Sequence, residues 1–68
     1  MENNMHTYNA LMEIRKENAI GRFHATTITF KAPYPYKEPK SNLYDVAIRE
    51  ARAQGYETLF IHRVVLAD

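Results

Sequence analysis

His6, His24 and His62 are the side chains in this sequence best suited to hold a transition metal. They share no local ligand spacing and no carboxylate cluster accompanies them, so they read as separate, solvated or hydrogen-bonded imidazoles. The chain has no cysteine. That removes thiolate metal sites, disulfides and a cysteine nucleophile together. Ser41 is the only serine and stands where a helix needs a cap, which leaves no serine–histidine arrangement. Asp45 and Glu50 fall on a helix surface, and Asp45 precedes Arg49 by four residues, a solvated spacing worth about 0.3–0.5 kcal/mol. With only Gly21 and Gly55 there is no glycine-rich phosphate loop. The expectation is a protein that is not an enzyme and uses no metal and no cofactor.

What remains is binding chemistry. Tyr34, Tyr36, Lys37 and Lys40 interleave aromatics with lysines on one short segment. Such a segment can stack bases and follow phosphates, or anchor a protein interface, where tyrosine is enriched. It can also simply pack its tyrosines over the end of a small sheet and leave the lysines in water. Arg49, Arg52 and Arg63 form a second basic set, the first two explained by a solvated helix face, and His62 lies beside Arg63 on a strand. Net charge is +1, too little to argue for nucleic acid alone. The one basic excess, +2, lies in residues 31–40, where Lys31, Lys37 and Lys40 face Glu38.

These residues must be positioned by a small domain. At 68 residues one core is available, burying about 60% of the unfolded surface and leaving a thin margin. No apolar run is long enough to span a membrane and no signal-peptide pattern opens the chain, so a soluble, cytoplasmic protein without membrane contact is expected. Residues 1–6 are polar and expected to fray.

From Tyr8 to Ile14 two periods compete. A strand places Tyr8, Ala10, Met12 and Ile14 on one face; a helix makes a stripe of Met5, Tyr8, Leu11 and Met12. The strand is preferred, because the glycine-ended turn Lys16–Gly21 leads into Arg22–Phe30, rich in β-branched and aromatic residues, and a hairpin joins the two. In residues 31–40, Pro33, Pro35 and Pro39 impose an extended crossover. Ser41 or Asn42 then caps a helix with Asp45 in its first turn. Its apolar stripe is Leu43, Tyr44, Ala47, Ile48 and Ala51, and Gly55 is its left-handed stop.

Thr58–Leu66 reads as a strand that is apolar on both sides: Leu59, Ile61 and Val65 on one, Phe60, Val64 and Leu66 on the other. The predicted fold is a single α+β domain of ββαβ order, a three-stranded antiparallel sheet of order 2-1-3 with one helix on one face. One helix covers one face only. The second apolar side of the last strand calls for the proline-rich segment, a second copy, or a partner.

The run Ala47-Ile48-Arg49-Glu50-Ala51-Arg52-Ala53-Gln54-Gly55-Tyr56, a helix closed by glycine before a strand, resembles small accessory proteins encoded by phages and other mobile elements. Some anti-CRISPR proteins are similar in size, with a small sheet backed by one helix. The resemblance is one of packing pattern and transfers no functional residue. It implies a non-enzymatic plug that occludes a site on a host complex. Three function classes follow: a protein-binding accessory factor, which is favoured; a nucleic-acid-binding module using the lysine–tyrosine segment; and a self-associating structural protein. The partner-binding set is Tyr34, Tyr36, Lys37, Lys40, Arg49, Arg52, His62 and Arg63.

Overall fold

The computed structural model describes residues 5–36 and 40–67. Its elements are β1 (His6–Lys16), β2 (His24–Ala32), α1 (Ser41–Ala53) and β3 (Tyr56–Leu66). They form an antiparallel sheet of order β2-β1-β3 with α1 packed against it. The ββαβ order and the 2-1-3 sheet are those the sequence predicts.

Residues 6–16 are a strand and not a helix because a period of two collects their large apolar side chains on one side. Tyr8, Ala10, Met12 and Ile14 are all buried. β2 adds Ile28, Phe30 and Ala32, and Phe30 stacks on Tyr8 at 5.6 Å between ring centroids. α1 contributes Leu43, Ala47 and Ala51. The two alanines let the helix lie close, as the stripe implies. Tyr44, assigned to that stripe, is instead 37% exposed, and Ile48 is half-buried.

Several boundaries differ from the sequence reading. β1 already includes His6, so fraying does not extend that far; residues 1–4 lie outside the described residues. β2 starts at His24 and continues through Lys31 and Ala32, since Ala32 is buried against the core; the crossover begins only at Pro33. β3 starts two residues early, at Tyr56.

The helix start also differs. Lys40 is the N-cap: its carbonyl accepts the Tyr44 N–H at 3.0 Å, and its side chain makes no capping bond because an ammonium can only donate. Ser41 is therefore the first helical residue, and neither it nor Asn42 caps. Asp45 falls beyond the first turn. At the other end Gly55 holds φ of +90° and its N–H donates to the Arg52 carbonyl at 2.9 Å, the glycine stop as predicted.

The phase of β3 is the main correction. Arg63 stands opposite Leu11 but Ile61 stands opposite Met12; Phe60 stands opposite Glu13 but Thr58 opposite Ile14. Two β-bulges, at Leu59/Phe60 and His62/Arg63, each insert one extra residue. Ile61 and Val64 therefore share the helix side, although simple alternation puts them on opposite sides. Phe60, Arg63 and Val65 share the open side with Leu11, Glu13 and Asn9.

Candidate protein-binding surface

β3 lies at the sheet edge and carries four of the nine large apolar side chains that are exposed among the described residues. Leu59 is 57% exposed, Phe60 48%, Leu66 45% and Val65 40%. Side chains of this size left wet on one strand of a small domain are the kind of patch that marks an interaction site. The described residues of the proline-rich segment, 31–36 and 40, leave them exposed. Tyr8 donates its hydroxyl to the Tyr34 carbonyl, and Tyr36 packs 6.2 Å from the Tyr8 ring. Tyr8 points to the helix side, so these residues close that end of the core. Phe60 and Val65 stay bare on the open face, while Leu66, opposite Tyr8, and Leu59, in the groove beside the helix, are exposed on the helix side.

On the open face His62 Nε2 lies 2.8 Å from Glu13 Oε2, and the His62 ring meets Phe60 edge-on at 4.5 Å. Thr29 donates its hydroxyl to Asn9 Oδ1 at 2.7 Å. The face is thus polar along β2 and mixed along β3, where Phe60 and Val65 stand beside His62 and Arg63.

On the helix side, between α1 and β3, runs an open groove of about 850 Å³. Tyr44, Ile48 and Arg52 form its helical wall, and Thr58, Leu59 and Ile61 its strand wall. Arg15 closes one end. Its Nε donates to Glu57 Oε2 at 3.0 Å, its Nη1 donates to the Gly21 carbonyl at 2.8 Å, and its guanidinium lies 4.3 Å from the Phe23 ring centre. The Thr58 hydroxyl oxygen is buried without a hydrogen-bond partner.

The residues picked from sequence fall in three places. Tyr34, Tyr36 and Lys40 gather at the Tyr8 end of β1, where Lys40 Nζ sits 4.4 Å over the Tyr36 ring and 3.2 Å from its hydroxyl. Lys37 lies outside the described residues. Arg49 and Arg52 are exposed on α1, with Arg52 at the groove. His62 and Arg63 are on the open face, across the sheet from the helix. They do not form one patch, because the sheet separates the helical arginines from Arg63. Leu59, Phe60, Val65 and Leu66 are absent from the set drawn from sequence, although β3 is apolar on both sides there. Their signal was the doubly apolar strand itself.

Among the described residues no three His, Asp or Glu side chains gather as a metal set, and no helix is long and apolar enough to cross a membrane. No family model, no curated protein and no solved structure matches the chain.

Proposed function

We propose that this chain is a non-enzymatic protein-binding factor whose contact surface is β3, with the groove beside it. The observation that carries the reading is the half-exposed apolar set Leu59, Phe60, Val65 and Leu66 on an edge strand. An edge strand presents unpaired backbone groups, and apolar side chains beside them add burial to any ladder it joins. Arg63 and Arg52 supply polar rim. The resemblance to anti-CRISPR-type accessory proteins adds a mode of action to this reading, occlusion of a site on a larger host complex.

The nucleic-acid alternative has less support. Lys40 is engaged with Tyr36, and a net charge of +1 gives little long-range attraction to phosphates.

The test is association of the tagged chain with other polypeptides, before and after nuclease, beside a Leu59→Asp/Phe60→Asp variant. Association that survives nuclease and is lost in a variant with an unchanged circular dichroism spectrum supports the reading. Association that disappears with nuclease would transfer the function to nucleic acid, and full retention by the variant would move the surface elsewhere.

A further inference from the structure

We propose that the occupant of the β3 edge is a second copy of this chain, paired antiparallel about a two-fold axis at Ile61. This rests on the reading of β3 as a protein-binding strand and names its partner.

Ala67 N–H donates to the Thr7 carbonyl at 2.8 Å, and at the other end Glu17 N–H donates to the Gly55 carbonyl at 2.9 Å. Antiparallel ladders alternate hydrogen-bonded and non-bonded pairs. Counting inward from either end along the register, the odd-numbered residues of β1 bond to β3, and both ends agree across the bulges. The β3 residues opposite the even positions therefore turn their N–H and C=O away from β1. They are Tyr56, Thr58, Ile61, Val64 and Leu66, opposite Lys16, Ile14, Met12, Ala10 and Tyr8.

The intervals between those five residues are two, three, three and two. That spacing is a palindrome centred on Ile61, the middle residue of Tyr56–Leu66. An ordinary strand offers outward groups every second residue and falls out of step at each bulge, which is how bulges protect an edge. An antiparallel copy of β3 meets the same intervals in reverse. Tyr56 then faces Leu66 of the twin, Thr58 faces Val64, and Ile61 faces Ile61, with each bulge opposite the other. The spacing thus selects against a generic strand and for this one.

The side chains agree. Two-fold pairing keeps open face beside open face. Glu57 falls opposite Val65 of the twin and diagonal to its Arg63, within reach of a long side chain. Phe60 falls beside the other copy's His62 and Arg63, a cation-over-ring arrangement. Arg63 has no ion-pair partner within its own chain among the described residues. Leu59, Phe60, Val65 and Leu66 all enter the contact. The product is a continuous sheet of six strands with both helices on one face.

The experiment uses the unmodified chain and two single-cysteine variants, which the cysteine-free sequence makes unambiguous. Light scattering after size exclusion should give twice the 8.0 kDa chain mass, falling towards the single mass on dilution. Amide exchange should show Thr58, Ile61 and Val64 protected at high concentration and released on dilution. Mixed Glu57→Cys and Val65→Cys chains should form a disulfide-linked pair on mild oxidation, and neither should do so alone. A single-chain mass at every concentration, with fast exchange at those amides, overturns the proposal. Cross-linking of Glu57→Cys to itself also overturns it, because that register is not centred on Ile61. If the chain is a monomer and the Leu59→Asp/Phe60→Asp variant still abolishes association with another polypeptide, only the second copy fails and the protein-binding reading stands.

Discussion

His62 reaches Glu13 across the sheet, Nε2 to Oε2 at 2.8 Å, although the residue opposite Glu13 in the ladder is Phe60. The contact exists because His62 is the extra residue of a bulge and is free to lean along the open face. Its position shows how much of β3 depends on two single-residue insertions.

Deleting His62 should therefore be tolerated. The ladder would become regular there, with Arg63 still opposite Leu11 and Ile61 still opposite Met12. The loss is a half-exposed pair worth up to about 1 kcal/mol. Replacing Val64, buried opposite Ala10, by aspartate should be far worse, because it puts an uncompensated charge into the core at a cost of about 3–5 kcal/mol. Urea melts of the two variants compare these outcomes. The His62 deletion should also be monomeric, because its outward backbone intervals are no longer palindromic.

Ala51 is fully buried on the inner side of α1. Ala51→Leu should overpack the contact and cost about 1–3 kcal/mol, read as a lower urea midpoint with an unchanged slope. The same change at exposed Ala53 should leave the midpoint where it is.

Gly55 is held at φ +90°, and a Cβ there would meet nothing within 4 Å. The cost of Gly55→Ala is thus backbone strain alone, about 1–2 kcal/mol. Gly55→Asn should recover part of it, since asparagine tolerates the left-handed region better. Thermal melts of both variants check the order.

Lys40 lies against Tyr36, and the chain carries little net charge. Single-stranded nucleic acid should give no mobility shift even at low salt. A shift that weakens steeply with salt, with a slope flattened by Lys40→Ala, would establish the nucleic-acid module instead.

Much of the fold was legible because it rests on local periods. Tyr8, Ala10, Met12 and Ile14 alternate with only Leu11 out of place, the threonine-rich run before Phe30 suits a strand, and Gly55 stops a helix whose alanines mark its buried side. These signals act over a few residues and survive without tertiary context. The helix start was less legible, since Lys40 begins the turn through its carbonyl and leaves no side-chain mark.

The phase of β3 was decided by the tertiary structure. Its residues are apolar in nearly every position, so no alternation tells which side is which. The sheet inserts bulges at Leu59/Phe60 and His62/Arg63, which bring Ile61 and Val64 together towards the helix and leave Phe60, Arg63 and Val65 outside. The scatter of the basic residues over both sides of the sheet has the same origin. Sequence alone determined that β3 has more apolar surface than one helix can cover. Only the pairing with β1 decided which part of that surface, and which backbone groups, are left for another chain.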